Sequence, residues 1–316
     1  MNIGIIGVGA IGGWLAARLA LAGHRVTCVV RGETLAPLGS GLVLHENGQE
    51  VRASVHAVET VPEEPQDVVV IATKAHGLAA AAEQVRPMIG PDTLILPLQN
   101  GVPWWFVEDE PLGSVDPDGR IAAALPVAQV IGAVVHASAR RIGPAEVELV
   151  HADKLLLGEP SGGTSGRVER LDVLLRNAGV PAQAHDNIRQ AIWYKLWGNM
   201  TINPLSALTR ATADRLVADE ALRPFILTAM AEAAAIGARI GCPIRESGEA
   251  RMEVTKRLGA FKTSMLQDLE AARTLELEAL VGAPREIGLR VGVPTPAIDA
   301  LYAMTRLLDE SVRSPS

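Results

Sequence analysis

The chain has 316 residues, 48% of them hydrophobic and 21% charged, with 30 Gly, 20 Pro and only 3% aromatics. That composition excludes a disordered, collagen-like or disulfide-stapled protein, and the length allows two domains that each bury a core. With 36 acidic against 29 basic residues the net charge is -7, the wrong sign for a nucleic-acid or anionic membrane surface, so a small molecule is the expected partner.

The opening residues, MNIGIIGVGA, lack the basic flank and long apolar centre of a signal peptide, which predicts a cytoplasmic protein. Residues 2–7 form a short run of β-branched residues ending in glycine and read as a buried strand. A GxGxxG turn follows, made of Gly7, Val8, Gly9, Ala10, Ile11 and Gly12. Next comes a helical stretch, Trp14 to Leu21, closed by Gly23, and a second strand, Arg25 to Val30, which completes a βαβ unit.

The alternation continues with a strand at Asp67 to Ala72, a helix at Leu78 to Arg86 and a strand at Thr93 to Leu98. The charge-free stretch from Ile121 to Ala139 is interrupted by Pro126, Gln129, Gly132 and His136, so it reads as a buried strand, Val130 to Ala137, with its approach loop and not as a membrane span. Ala145 to Val150 and Lys154 to Leu157 read as a hairpin-like pair, and SGGTSG at 161–166 as a surface loop before a helix at Arg167 to Asn177. This order predicts a mostly parallel, doubly wound sheet with an antiparallel edge.

Near residue 186 the strand signal ends. Amphipathic stretches at Asn187 to Asn203, Asp219 to Ile240, Thr263 to Leu280 and Ala297 to Arg313 predict an all-α second domain. The expected division is a Rossmann-type dinucleotide-binding domain over 1–185 and a helical substrate domain over 186–316. The Ala-rich segments 226–240 and 269–281 pack within the subunit or across a two-fold axis, and a homodimer is expected. Cys28 and Cys242 lie in no CxxC or Cys/His cluster, so they read as reduced, buried thiols, and no metal site is expected.

The glycine turn lies between a strand and a helix, the context in which its spacing has a mechanism. Gly7 permits the tight turn, Gly9 lets the backbone approach a pyrophosphate and Gly12 lets helix and strand pack closely, while the helix N-terminus offers N–H groups to the phosphates. An Asp or Glu about 20 residues on would hold the ribose of NAD, whereas an Arg there suits the 2′-phosphate of NADP. Arg31 occupies that place and favours NADP(H); the alternative has Arg31 as a solvated loop charge, with Glu33 on the ribose.

Lys195, Asn199 and Asn203 recur every four residues, so they form a polar stripe along one face of a helix whose other residues include Trp193, Leu196, Trp197, Met200 and Ile202. The plain alternative is a solvated polar face, but two asparagines at helical spacing are poor helix formers and need a reason. Lys74 and Asn100 each follow a strand at the carboxyl edge of the sheet, where open α/β sheets bind ligands; ordinary turn chemistry also accounts for them.

These motifs together, GxGxxG with Arg31, T-K-A at 73–75, Q-N-G at 99–101, K-x-x-x-N-x-x-x-N-P at 195–204 and S-M-L-Q-D at 264–268, resemble the ketopantoate reductase family over nearly the whole chain. The resemblance implies reduction of 2-dehydropantoate to pantoate with NADPH, on the route to pantothenate. It implies Lys195 as the proton donor to the ketone oxygen and Glu276 as an acid of the active site. Asn199 and Asn203 match substrate-binding asparagines, Ser264 a serine that binds the substrate carboxylate, Asn100 a residue of the substrate and cofactor region, and Lys74 a lysine at the cofactor edge. The chemistry agrees, because hydride addition to a 2-oxo carbon builds negative charge that an adjacent ammonium stabilises and protonates.

Departures from the family pattern bear on the substrate. After Gly101 the chain runs Val102-Pro103-Trp104-Trp105-Phe106 into an acidic stretch, Glu108 to Asp118. The paired tryptophans either pack a core or dimer-contact loop or reshape the substrate pocket. Val134 and Val135 stand where the family pattern has hydroxyl-bearing residues, and His136 reads as a satisfied strand histidine. A reductase of another 2-oxo acid is one alternative. A β-hydroxyacid dehydrogenase is another, against which the pair Ser264 and Glu276 argues. The remaining alternative is a non-catalytic NADP(H)-sensing protein.

Overall fold

The computed structural model describes residues 1–107 and 111–313, so Glu108, Asp109 and Glu110 of the acidic stretch lie outside the described residues. The chain forms two compact units, one of residues Met1–Gln99 and Gly119–Arg189, the other of Asn100–Asp118 and Gln190–Ser316. A single cut near residue 186 therefore misses that 100–118, far upstream in the chain, groups with the helices.

The first unit runs β1 (Asn2–Ile6), α1 (Ala10–Leu21), β2 (Arg25–Val29), α2 (Leu35–Gly39), β3 (Leu42–Glu46), β4 (Gln49–Ala53), β5 (His56–Val58), β6 (Val68–Ile71), α3 (Leu78–Val85), β7 (Leu94–Pro97), α4 (Arg120–Ala124), β8 (Gly132–Gly143), β9 (Glu146–Gly158), α5 (Gly166–Asn177) and β10 (Ala182–Ala184). One sheet has the order β5-β2-β1-β6-β7 with every pair parallel. Its central strands are apolar on both faces, as a covered parallel sheet requires: β6 is VVVI and wholly buried. The chain leaves β1 for β2 on one side and later returns to β6 on the other. The carboxyl end of β1 is thus a topological switch point, where such sheets bind ligands.

The antiparallel part is not an edge of that sheet but a second sheet, β10-β9-β3-β4, with β8 paired to β9. The expected hairpin of Ala145 to Val150 with Lys154 to Leu157 is instead one strand, β9, antiparallel to β8 over its length. Register shifts between His136 and Ala137 and between Ser138 and Ala139 keep the ladder running past the polar residues that read as a turn. The β3–β4 hairpin had its own signal, since Asn47 and Gly48 hold φ of 52° and 73°, as a tight Asn-Gly turn demands. Helix α1 starts at Ala10, four residues before the expected start at Trp14, because the second half of the glycine turn is already helical; it buries Trp14, Leu15 and Leu19 against the core.

The helical unit comprises α6 (Ile188–Thr209), α7 (Ala213–Ala218), α8 (Arg223–Arg239), α9 (Gly248–Arg257), α10 (Ser264–Glu270), a π-helical turn at Glu278–Gly282 running into α11 (Ala283–Arg290), and α12 (Pro296–Arg313). The apolar face of α6 packs on α8, and its indole donors are satisfied there: Trp193 Nε1 donates to Ala233 O at 3.2 Å and Trp197 Nε1 to Met230 O at 2.8 Å. The continuous helix expected over Thr263 to Leu280 is broken at residues 271–276. Ala272 takes φ 50°, Arg273 N–H donates to Asp268 O, and Leu275 N–H donates to the buried Asp309 Oδ1 at 2.8 Å. Tertiary hydrogen bonds override a helix-forming composition here.

Candidate active site

In the first unit the three glycines are separated by what a side chain would meet. A Cβ on Gly7 would lie 2.5 Å from the carbonyl carbon of Ala72, and its φ is 89°, so only glycine fits. A Cβ on Gly12 would collide with the carbonyl oxygen of Gly7 and come within 3.0 Å of Ala72 Cβ, which makes Gly12 the residue of close helix–strand packing. A Cβ on Gly9 would meet nothing within 4 Å. Gly9 is also the N-cap of α1, with no side chain capping the helix. The N-terminal N–H groups and positive dipole end of a twelve-residue helix thus border an open cradle, which fits a pyrophosphate.

Arg31 lies two residues beyond β2 at the N-cap of a short 3₁₀ turn, Gly32–Thr34, which also carries Glu33. Arg31 is exposed and donates from Nη2 to Gln84 Oε1 at 2.8 Å. Lys74 follows β6 as the N-cap of the turn Ala75–Gly77. Gln99, quoted only as part of a motif, has a job of its own: its Nε2 donates to Ile71 O at 3.0 Å and Thr73 O at 3.1 Å and ties the ends of β6 and β7 together. Val134 and His136 both lie in β8, Val134 buried and His136 half-buried opposite Lys154.

In the helical unit, Lys195 and Asn100 meet across 95 residues of sequence: Lys195 Nζ donates to Asn100 Oδ1 at 2.8 Å. Burial pushes the Lys195 ammonium down to about 8, and the nearby Glu276 carboxylate opposes that shift. The residue is partly accessible along its length while protein surrounds its ammonium end. Asn199 and the buried Asn203 follow one and two turns on, and Pro204, inside α6, denies Met200 O its helical N–H partner. Ser264 opens α10, whose N-cap Thr263 accepts from Leu266 N–H. Glu276 is 5% exposed and directly precedes the helix that becomes the π-helical turn, in which Ala283 N–H reaches five residues back to Glu278 O. Such turns recur at functional sites.

The Q-N-G segment is held against that same turn. Gly101 has φ 91°, a Cβ there would lie 2.6 Å from Ala279 C, and Val102 N–H donates to Ala279 O at 2.8 Å. Phe106 stacks on Trp193 with ring centroids 5.9 Å apart. Glu286 accepts from Gly113 N–H, Ser114 N–H and Ser114 Oγ at 2.9, 2.8 and 2.6 Å; those donors outweigh burial and hold its carboxyl below the usual range. Residues 101–102, 106 and 113–114 are thereby each tied to the helices of this unit. Trp104 and Trp105 are both buried, which fits the core-packing reading, yet neither indole N–H has a hydrogen-bond partner.

Comparison with known proteins agrees along both units. The family model described as Ketopantoate reductase PanE/ApbA matches residues 3–162, and the one described as Ketopantoate reductase PanE/ApbA C terminal matches 187–309. The chain is 43% identical to the 2-dehydropantoate 2-reductase of Mesorhizobium japonicum over 98% of both chains. It is 29% identical to that of Nostoc sp., covering 96% of this chain and 94% of the relative. Among solved structures, a candidate ketopantoate reductase from Ralstonia solanacearum MolK2 superposes with TM-score 0.94 at 47% identity, covering 98% of each chain. The 2-dehydropantoate 2-reductase of Methylococcus capsulatus gives TM-score 0.86 at 28% identity over 99% of this chain and 98% of that one.

Proposed function

The chain belongs to the ketopantoate reductase family of nicotinamide-dinucleotide-dependent oxidoreductases, and from that premise we propose that it reduces 2-dehydropantoate to pantoate with NADPH, Lys195 giving the proton. The observation that carries the reading is the Lys195 ammonium, hydrogen-bonded to Asn100 and lowered to about 8 beside Glu276. An ammonium with that acidity is mostly charged at neutral pH and still gives up its proton readily, as a general acid should.

NADPH supplies the hydride when bound. The open cradle at Gly9 and the N-terminus of α1 would hold its pyrophosphate, Arg31 would take the 2′-phosphate and Lys74 would lie at the cofactor edge. As the carbonyl carbon of the substrate gains the hydride, its oxygen takes the proton from Lys195 Nζ, and the neutral amine recovers a proton from water. Asn100 aims the ammonium through its Oδ1, and Glu276 stabilises the charged form before transfer. Asn199, Asn203 and Ser264 offer donors to the substrate hydroxyl and carboxylate. The enzyme of this proposal acts in the cytoplasm as a homodimer on the route to pantothenate. Among the described residues no helix is long and apolar enough to cross a membrane, and no cluster of metal-ligating residues is present.

The test is NADPH oxidation with ketopantoate and a panel of other 2-oxo acids, with NADH in parallel. Strong turnover of ketopantoate, lost in Lys195→Ala, is the expected result. Turnover of a different 2-oxo acid with ketopantoate inert would reassign the substrate, and cofactor binding without turnover of any acid would leave a sensing protein.

A further inference from the structure

A charged side chain outside every motif lies over the helix that carries Lys195. Gly198 stands in the interior of α6, where glycine is less favourable than alanine. The room it leaves is filled by one group: a Cβ on Gly198 would lie 2.8 Å from Nη2, 2.9 Å from Nε and 3.3 Å from Cζ of Arg251, on α9. The guanidinium also covers the ring of Tyr194, with Cζ 5.3 Å from its centroid, and the Tyr194 hydroxyl in turn donates to Glu246 Oε2 at 2.5 Å.

Helical geometry fixes what this means for the polar stripe. Gly198 is three residues after Lys195 and one before Asn199, so the position Arg251 covers is rotated about 60° from Lys195 around α6, on the flank away from Asn199 and Asn203, and lies within about 6 Å of Lys195 along the surface. Arg251 is half-buried, and its Nε is buried without a hydrogen-bond partner. Its guanidinium acts on the Tyr194 hydroxyl that donates to Glu246, yet it forms no ion pair of its own among the described residues, in a chain of net charge -7 where carboxylates outnumber cations. A buried donor on a permanent cation that lacks a partner carries a desolvation cost that an anion would relieve.

Among the other groups of the site only Lys195 offers such an anion a positive charge. Asn199, Asn203 and Ser264 are neutral, and the Lys195 charge is shared with Glu276. We propose that Arg251, seated in the gap left by Gly198, is a specificity-determining residue that binds the carboxylate of the 2-oxo acid and makes this site prefer an anionic substrate over its neutral counterpart. The inference rests on the proposed 2-oxo acid reductase reading and names the group that recognises the charge of its substrate. Arg251 is a binding residue in this account, and proton transfer remains with Lys195.

The experiment compares ketopantoate with its uncharged amide as ligands of the full chain saturated with NADP+, by calorimetric titration, alongside NADPH oxidation with ketopantoate. Arg251→Gln is expected to weaken ketopantoate binding about tenfold to a hundredfold while leaving the amide unchanged, in keeping with a hydrogen bond to a charged group. Kinetically this is a rise in KM with kcat held within about threefold. Arg251→Lys keeps the charge and restores part of the preference. Gly198→Ala, whose methyl group displaces only the flexible end of Arg251, reproduces the loss without removing the arginine. Equal weakening of acid and amide in Arg251→Gln, or no preference for the acid in the wild type, overturns the proposal. Charge-selective binding without NADPH oxidation would refute the reductase reading while leaving the role of Arg251 intact.

Discussion

Around Gly7, Gly9 and Gly12 the chemistry falls to the backbone: one residue at φ 89°, one bordering open space and one inside a helix pressed on a strand. Around Lys195 the proposed chemistry falls to side chains, and the hydrogen bond of Asn100 and the charge of Glu276 reach the buried ammonium from far away in sequence. The difference teaches where each region is vulnerable. A backbone site fails when a Cβ is added in the wrong place, whereas a side-chain site survives most neighbours and fails when one functional group is removed.

Five substitutions press on that contrast. The largest expected effect is Lys195→Ala, which should lower kcat for 2-oxo acid reduction by about 10²–10⁴-fold, the usual weight of a general acid, and leave cofactor affinity untouched; stopped-flow turnover with fluorescence titration of NADPH separates the two. Next, Gly7→Ala should destabilise the fold by at least about 2 kcal/mol through left-handed strain and the clash with Ala72. Gly9→Ala, which meets no protein atom, should melt near the wild-type temperature yet lose cofactor affinity. If thermal melts and NADPH titrations rank these two alike, the division of labour among the glycines is wrong.

Arg31→Ala should weaken NADPH about tenfold or more and leave NADH unchanged, as loss of a charged contact to the 2′-phosphate requires; equal KM changes for both cofactors would hand the ribose to Glu33. The smallest effect is a pH shift. Lys195 is protonated below about 8, so kcat/KM for reduction should fall as pH rises through that value. Because the Glu276 charge raises the Lys195 pKa, Glu276→Gln should move the descending limb to lower pH, and a limb that moves upward would contradict the assigned pair.

The glycine turn was readable in the sequence because backbone conformation and close approach are written directly in glycine positions. The Lys195, Asn199 and Asn203 stripe was readable as spacing, since a helix period converts residue number into direction. The contact of Lys195 with Asn100 was not derivable from spacing; the family resemblance placed Asn100 only in the substrate and cofactor region, and the fold brings the two together. The break at 271–276 left no trace in a Gly- and Pro-free stretch, because Asp309 helps to enforce it from another helix, beside the local turn of Arg273 N–H onto Asp268 O. The strands at 42–58 were missed although Asn47-Gly48 announced their hairpin, and their short, polar segments carried little else. Arg251 offered no local pattern; only the room above Gly198 gives it meaning.

The membership of residues 100–118 in the helical unit has a consequence for synthesis. Phe106 finds its stacking partner, Trp193, only after 87 further residues have been made. At roughly 5–20 residues per second that is about 4–17 s. For that interval Trp104, Trp105 and Phe106, all buried in the finished protein, emerge on the nascent chain as an uncovered aromatic cluster. Translation speed between codons 106 and 193, and the availability of a holdase chaperone, should therefore change the yield of folded protein.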